Sequence, residues 1–299
     1  MKSAILVLPL ISGILWGAAG IFVRTLSGAG LDSTTIVFTR VSFGSLMMLA
    51  LILAVDRKML KVERKDVPLV VFAGLTMICV NVFYTVAADN VSLSLAAVLL
   101  AMAPVFMLLM ARVVFKESIT VRKVASMFLA IFGCLMVSGF LEQGHDLSMS
   151  GVMAGLISAF MYALYGILTK RISGRGYSVY TALFYCMLVS SICLIPLTDF
   201  HAVVSFGAEG IWSWPFIALQ ALFVSVLPFL LYNVAIAHTE AGAVSIIASC
   251  GEPLSAAIFG FLYYAETPSM LMIAGMVLVL VSITVMCAPN HHAHRSHTR

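Results

Sequence analysis

Long apolar segments separated by short polar connections run through almost the whole chain. A helix that spans a membrane needs about 20 mainly apolar residues. Ten such segments can be drawn, at residues 4–26, 33–54, 67–87, 92–112, 121–139, 149–170, 178–197, 211–235, 240–262 and 269–287. The pattern therefore predicts an all-α integral membrane protein with ten transmembrane helices.

The composition agrees with this prediction. Hydrophobic residues make up 62% of the 299 residues and charged residues make up 10%, whereas a soluble domain has about 45–50% apolar and about 25% charged residues. The first apolar segment is longer than the roughly 7–15 apolar residues of a secretory signal, and nine more segments follow it. We therefore interpret it as the first span.

The 17 Lys and Arg residues mark one side of the membrane. All except Arg24 and Arg40 lie at the N-terminus, in the connections after the second, fourth and sixth spans, or in the C-terminal tail. Because cytoplasmic loops carry the excess of Lys and Arg, both termini are predicted to be cytoplasmic. The net charge of +4 follows from this bias, and no nucleic-acid partner is inferred from it.

An internal repeat relates the two halves of the chain. The segment RTLSGAGLDSTTIVF (24–38) matches KRISGRGYSVYTALF (170–184). Further along, a longer match pairs Tyr84 with Tyr232, Ala87 with Ala235, Pro104 with Pro253 and Glu117 with Glu266. The predicted units are residues 1–140 and 147–288, followed by a cytoplasmic tail at 289–299. Since each unit holds five spans, the second must enter the membrane from the opposite face, as in transporters with inverted repeats.

The prolines at matching positions predict a binding region near the middle of the membrane. Pro104 and Pro253 each remove a backbone donor from a spanning helix and free a carbonyl group there. Interrupted segments at corresponding positions of two repeats point to the substrate site of a transporter. A simple kink in each helix is the alternative interpretation.

Glu252, in the run ASCGEPLSA, is an acidic residue near the centre of the ninth span. An ionisable group at such a depth costs about 2.5–3.5 kcal/mol, so its side chain must face protein or water. The apolar surroundings favour the protonated carboxyl group, and a carboxyl group that gains and loses a proton could couple proton movement to transport. Alternatively, Glu252 stays neutral and hydrogen-bonds a neighbouring helix, or it pairs permanently with a cation.

Arg40 is the other charged residue within a span, in the run FTRVSFG. It stays protonated, so three roles are open. The side chain can extend to the outer headgroups, pair with an acidic residue such as Asp32, Asp89 or Glu252, or bind an anionic group of a substrate.

Aromatic and amide side chains at mid-depth supply further candidates. Trp16 aligns with Tyr162 in the repeat, and two such rings could form two walls of one cavity. The other candidates are Asn81, Tyr84, Tyr165, Tyr232 and Asn233. Each could instead form an interhelical hydrogen bond, worth about 0.6 kcal/mol. Glycines spaced four apart, Gly13 with Gly17 and Gly151 with Gly155, predict close helix contacts at the start of each half.

Several segments together resemble the EamA family of the drug/metabolite transporter superfamily. They are GILWGAAGIFVR, the arginine in VFTRVSFG, and the two proline-containing stretches that start at Tyr84 and Tyr232. The resemblance implies two inverted five-helix repeats around a central cavity, in a bacterial inner membrane, that move amino acids or other small metabolites, often outward. It also implies that the cavity is lined by Trp16, Tyr84, Pro104, Tyr162, Tyr232 and Glu252. Ala103 stands where Glu252 would be expected in the first half, so coupling through a carboxyl group would be one-sided.

These observations predict a secondary active transporter, most simply an exporter of amino acids or similar amphipathic metabolites that is driven by protons. A facilitator or importer of another metabolite, such as a nucleoside or quaternary amine, is the alternative, and a scaffold or receptor is a more remote one. The expected partners are a small-molecule substrate, the lipid bilayer and protons. No cofactor or metal site is predicted, because the chain lacks a phosphate-binding GxxxxGK[ST] loop and an HExxH motif, and its six cysteines form no CxxC pair. The histidine-rich tail is read as a disordered basic end, with metal binding as the alternative.

Overall fold

All regular structure in the described part of the chain is helical. The computed structural model describes residues 5–91, 93–138, 140–142, 148–264 and 268–288. The helices are α1 (Val7–Gly17), α2 (Ala19–Gly28), α3 (Ser33–Val55), α4 (Val67–Asn90), α5 (Leu93–Leu100), α6 (Ala103–Phe115), α7 (Val121–Val137), α8 (Met149–Gly174), α9 (Val179–Leu194), α10 (Phe200–Ala208), α11 (Ser213–Gln220), α12 (Leu227–His238), α13 (Ala241–Tyr264) and α14 (Met270–Cys287).

Polar side chains at the helix starts explain several of these boundaries. Asp32 accepts a hydrogen bond from the backbone N–H of Thr34 at 2.9 Å and so caps α3. Thr120, Ser178 and Ser269 cap α7, α9 and α14 in the same way. Such caps satisfy backbone donors that have no partner within the helix.

Three predicted spans are not continuous α-helices. The first is divided into α1 and α2 at Ala18, and the fourth into α5 and α6 by a turn at residues 101–102. The eighth runs from α11 through a π-helical turn (Ala221–Val226) into α12. A proline follows two of these irregularities, Pro104 in α6 and Pro228 in α12, where a first helical turn tolerates a missing N–H group.

Among the described residues, nine helical segments are long and apolar enough to span a membrane. The predicted fifth span is α7, which has only 17 residues, so the count of ten is not confirmed. α7 packs along α14, and the two backbones come close where Gly133 meets Gly275.

The helix ends with most of the Lys and Arg residues gather at one end of the bundle, which we call the basic end. Helix α6 finishes there and α13 begins there, because Glu117 just after α6 hydrogen-bonds the backbone of Ala241. Leu6 and Leu10 pack with Ile246 and Ile247 near the start of α13, so α1 also begins at this end. Helix α8 instead ends there, since Lys170 contacts Glu117. The first helices of the two halves therefore run in opposite directions.

Helix pairing follows the same relationship. Helix α1 packs against α12 and α13, and α8 packs against the equivalent helices of the first half, α4 and α6. Helices α3 and α9 pair with each other, as do α7 and α14. The short helix α10 lies at the end opposite the basic end, where Phe206 joins Leu26 and Ile36 in a small apolar cluster.

Candidate functional site

Helix α13 changes its environment at Glu252. From Ala241 to Gly251 nearly every residue is buried, whereas Glu252 itself is exposed and so are several residues beyond it, among them Ile258 and Phe261. From Glu252 to Tyr263 only Ser255 and Gly260 are buried, so this half of α13 is less enclosed by its neighbours than the first half. The Glu252 carboxylate lies where that change begins.

Glycines allow α1 to pack closely against α13 up to about the position of Glu252. A methyl group on Gly13 would lie 2.9 Å from Gly251 Cα, and one on Gly17 would lie 2.5 Å from the Glu252 carbonyl oxygen. At Gly20, in α2, an added methyl group would meet no atom within 4 Å. In the second half, Gly151 packs against Asn90 and Val91, while Gly155 packs against Leu99. The predicted close contacts at both glycine pairs are confirmed.

The exposed carboxylate of Glu252 is surrounded by groups from three other helices. Arg40 of α3, Tyr84 of α4 and Tyr162 of α8 are all within electrostatic range of it. Within the described residues, the carboxylate forms no hydrogen bond and no ion pair. The space around this exposed acidic group is a cleft, which we call the Glu252 cleft. We define it by six residues from five helices: Trp16, Arg40, Asn81, Tyr84, Tyr162 and Glu252.

Arg40 points into this cleft rather than out to the headgroups. Its Nη2 donates a hydrogen bond to Asn81 Oδ1, and Asn81 Nδ2 in turn donates to the Met77 carbonyl at 2.8 Å. The Arg40 Nε is buried and has no hydrogen-bond partner in the part of the chain that the structure describes. The guanidinium group is therefore positioned by an amide, and one of its donors is unused.

Trp16 is the centre of an aromatic cluster that forms one wall of the cleft. Its ring centroid lies 5.9 Å from that of Tyr162, 5.1 Å from that of Phe229 and 5.7 Å from that of Tyr232. Trp16 and Tyr162 are partly exposed, whereas Tyr232 is fully buried. The predicted pairing of Trp16 with Tyr162 across the repeat is thus a direct edge-to-face contact.

Four of the predicted site residues lie outside the cleft. Tyr165, Tyr232 and Asn233 are buried in the core, and Asn233 Nδ2 donates a hydrogen bond to the Tyr165 hydroxyl at 2.8 Å. Pro104 is also buried, in the first turn of α6. In this conformation these side chains belong to the packed interior of the bundle.

Pro253 differs from the predicted interruption, because α13 continues through it without a break. A proline at this position leaves the carbonyl group of Ser249 without its usual helical donor. The Cys134 thiol of α7 points at that oxygen, with an S···O distance of 3.7 Å. A weak donor from a neighbouring helix thus replaces the missing N–H group, and the helix stays intact.

Glu117 organises the basic end. Its Oε1 accepts hydrogen bonds from Lys170 Nζ at 2.7 Å and from the Ala241 N–H at 2.9 Å, and Oε2 faces the Gly242 N–H at 3.4 Å. Lys170 Nζ also donates to the Thr239 carbonyl at 2.6 Å. The end of α6, the end of α8 and the start of α13 are therefore tied together at one carboxylate.

Lys123 adds a second, buried cation to this group. Its Nζ donates to the Ser118 carbonyl at 2.8 Å and lies 3.1 Å from Glu240 Oε2 and 3.9 Å from Glu117 Oε2. The side chain of Lys123 is only 1% exposed. We call Glu117, Lys123, Lys170 and Glu240 the basic-end cluster.

A separate set of contacts ties the connection after α3 to the connection after α8. The Tyr177 hydroxyl donates to Asp66 Oδ2 at 2.7 Å, and Arg175 forms an ion pair with the same carboxylate. The hydrogen bond from Tyr177 lowers the pKa of Asp66; burial of the carboxyl group opposes this effect, and the Arg175 charge reinforces it. Asp66 is therefore ionised at neutral pH and holds the two connections together.

Helix α2, the second half of the first span, and the second half of α8 occupy equivalent positions in the two repeats but have different environments. Helix α2 has one buried residue, Leu26, whereas the equivalent part of α8 is buried from Tyr165 through Thr169. The two repeats therefore pack differently, and the bundle is closed at the basic end and open at the other.

Sequence reasoning missed Phe229 and the basic-end cations. Phe229 lies three residues before Tyr232 and so on the same helix face, which would have identified it as a member of the aromatic cluster. Lys123 and Lys170 were counted as loop charges, since nothing in the sequence shows that their side chains fold inward. Glu266 and the histidine-rich tail lie outside the described residues.

Comparison with known proteins gives a consistent assignment. The model of the EamA-like transporter family matches residues 2–139 and 149–288. An uncharacterised transporter from Archaeoglobus fulgidus is 28% identical over 92% of this chain and 93% of its own length. A pseudopaline exporter from Pseudomonas aeruginosa is 26% identical, with 94% and 95% covered. A probable terminal-alkyne amino-acid exporter from Streptantibioticus cattleyicolor is 24% identical, with 91% and 90% covered.

The fold also matches a solved structure. A crystal structure of a protein with 13% sequence identity superposes with a TM-score of 0.80 and covers 95% of this chain and 96% of its own. That likeness shows the same overall fold over the part of the chain that is covered. The chain belongs to the EamA-like transporter family.

Proposed function

We propose that this protein is a secondary active transporter that exports amino acids or similar small amphipathic metabolites across the inner membrane by alternating access. The basic end faces the cytoplasm, as the positive-inside rule requires, so both termini are cytoplasmic. The observation that carries the proposal is the unequal packing of α2 and the second half of α8. If the two repeats exchanged these conformations, the Glu252 cleft would close on the outer side and open at the basic end.

The charges in the cleft favour a substrate that has both an anionic and a cationic group. Arg40 offers a guanidinium group with an unused Nε, and Glu252 offers a carboxylate with no bonded partner among the described residues. A carboxylate and an ammonium group on one small molecule would match these two side chains, because charge-assisted hydrogen bonds are the strongest kind. The Trp16 and Tyr162 rings beside them suit an apolar or aromatic side chain.

Glu252 is the residue we assign to proton coupling. When the cleft is open, water reaches the carboxyl group and favours its ionised form; when the cleft closes, loss of water favours the neutral form. Proton binding is thereby linked to the conformational change. Two relatives, a pseudopaline exporter and a probable terminal-alkyne amino-acid exporter, support outward transport, and the second also supports an amino acid as the substrate.

The test uses proteoliposomes that contain the purified protein and one radiolabelled amino acid at a time. For at least one amino acid, we expect a pH gradient to drive flux in the wild type. Glu252→Gln should bind the amino acid more weakly, because the ammonium group loses its charged partner, and it should lose the gradient-driven flux even at a saturating amino-acid concentration. Glu209→Gln, which removes an exposed carboxyl group after α10, should retain both the binding and the flux. Flux in Glu252→Gln that still follows the pH gradient would exclude this residue from coupling, and flux that never depends on pH would identify a facilitator.

A further inference from the structure

A cavity of about 420 Å³ opens at the basic end, beside the basic-end cluster. Its volume is within the range of small-molecule sites, about 300–1,000 Å³. It lies among the ends of α6, α8 and α12 and the start of α9. The side chains that give it its chemistry are Phe115, Lys170, Ser173, Tyr177, Ser178 and His238.

The lining chemistry of this cavity is that of an anion site. Its lining includes the basic side chains of Lys170 and His238 and the hydroxyl groups of Ser173 and Ser178, and it includes no carboxylate. The Tyr177 hydroxyl also lines it, but its proton is donated to Asp66. Helix α9 begins at Val179, in the cavity wall, with Ser178 as its cap, so the positive end of a 16-residue helix also faces this region. The nearby carboxylates are already engaged, Glu117 by Lys170 and Asp66 by Tyr177 and Arg175.

Lys170 belongs both to the cavity and to the basic-end cluster. Its Nζ holds Glu117 at 2.7 Å and the Thr239 carbonyl at 2.6 Å, and its side chain is 17% exposed. An anion in the cavity therefore competes with Glu117 for one ammonium group. Lys123 lies 3.9 Å from Glu117 Oε2, and its other carboxylate partner, Glu240, is 50% exposed to solvent. Glu117 therefore keeps one cation beside it when Lys170 turns away, which limits the cost of the exchange.

We propose that this cavity is a cytoplasmic anion-binding vestibule, in which the carboxylate or phosphate group of a solute binds Lys170 in place of Glu117 and thereby releases the helix ends that close the basic end. The proposal rests on the alternating-access function proposed above. It adds a second binding site, separate from the Glu252 cleft, and it makes loading from the cytoplasm a trigger for opening.

The experiment measures access to the first half of α13. Ser245 is fully buried there, and its hydroxyl has no partner in the described structure, so Ser245→Cys in a chain whose six native cysteines are replaced is a suitable reporter. The labelling rate with N-ethylmaleimide is measured in phosphatidylcholine vesicles, with inorganic phosphate or succinate as the soluble probe and sodium chloride at equal ionic strength as the reference. We expect either probe to raise the rate at least about fivefold, the lower end of typical coupling between sites.

Matched variants separate the cavity from its surroundings. Ser173→Phe fills the cavity without removing a cluster atom, and His238→Gln removes its second basic group; both should abolish the effect of the probes. Arg171→Gln removes an exposed charge next to Lys170 that does not line the cavity, and it should retain the effect. Equal acceleration by sodium chloride, or unchanged acceleration in both cavity variants, would overturn the vestibule.

Two further labelling measurements show which of the proposals is wrong if the expected result is not found. Glu117→Gln should be labelled rapidly without any probe. If this variant is labelled rapidly but the probes do not accelerate labelling of the parent chain, the alternating-access proposal stands and the vestibule proposal is wrong. If vesicles containing phosphatidylglycerol accelerate labelling and soluble anions do not, the site takes a lipid headgroup and the proposed soluble solute is excluded.

Discussion

Glu117 accepts a hydrogen bond from the backbone N–H of Ala241 at 2.9 Å, so a residue of the first half caps the helix that carries Glu252. A carboxylate at the start of a helix also interacts favourably with the helix dipole. One side chain thus connects the closed end of the bundle to the helix that borders the open cleft.

Replacing Glu117 by Gln should destabilise the protein. Loss of a charge-assisted hydrogen bond costs about 1.5–3 kcal/mol, and Lys170 would lose its charge partner as well. The expected result is a lower midpoint of thermal unfolding in detergent. Glu209→Gln is the control, and its midpoint should equal that of the wild type; equal midpoints for both variants would mean that the basic-end cluster does not stabilise this conformation.

Gly17→Ala should disrupt the contact between α1 and α13. The added methyl group would lie 2.5 Å from the Glu252 carbonyl oxygen, and overpacking of this kind costs about 1–3 kcal/mol. Gly20→Ala is a matched control one turn away, where no atom lies within 4 Å, and it should leave stability unchanged or slightly raise it. Thermal unfolding of the two variants tests this, and a fall of the same size in both would argue against a specific contact.

Trp16→Ala should weaken substrate binding more than it reduces protein yield in the membrane. Contacts between aromatic rings are worth about 0.5–1.5 kcal/mol beyond the area they bury, which corresponds to a roughly two- to tenfold loss of affinity for an amino acid that the flux assay identifies. Phe128→Ala is the control, because Phe128 is an exposed aromatic residue on α7. Should Trp16→Ala bind with wild-type affinity, the aromatic cluster would be packing only.

The lowered pKa of Asp66 lets us predict how the stability of the contacts at the basic end depends on pH. Its pKa in the folded protein is below the ordinary value of 3.8, chiefly because Tyr177 donates a hydrogen bond to it. The resulting stabilisation is therefore present above pH 3.8 and is lost as the pH falls through the lower, folded-state pKa. Asp66→Asn should lower the unfolding midpoint at about pH 7, and the difference from the wild type should shrink as the pH falls below 3.8. A difference that is constant with pH would contradict this assignment.

The inverted arrangement predicts which positions share a side of the membrane. Lys58 follows α3 and Arg171 lies in the last turn of α8, and both are exposed at the basic end. Cysteines at these two positions should be labelled by an impermeant maleimide only from the cytoplasmic side. A cysteine at Glu209 should be labelled only from the outside. Labelling of positions 58 and 171 from opposite sides would refute the inverted topology.

The sequence was sufficient for the fold, because long apolar segments and loop charges follow directly from the chemistry of the bilayer. It also brought Trp16 and Tyr162 together, since a pseudo-twofold axis places aligned residues face to face. The sequence alone did not distinguish the cleft residues, Arg40 and Glu252, from the buried residues, Tyr165 and Asn233. This distinction depends on which end of the bundle is open. The continuous helix at Pro253 was missed for a related reason: the compensating thiol of Cys134 comes from another helix.

The π-helical turn Ala221–Val226 rotates α12 about its axis, so its side chains point in directions that a continuous α-helix would not give them. π-helical turns are rare and frequently mark functional positions. Removing one residue from this turn would restore α-helical geometry and rotate everything after it by about 100°, since an α-helix has 3.6 residues per turn. Phe229 and Tyr232 would then turn away from Trp16. The extra residue in this turn thus sets which α12 side chains join the aromatic cluster around Trp16, and the first half of the chain has no counterpart to it among the described residues.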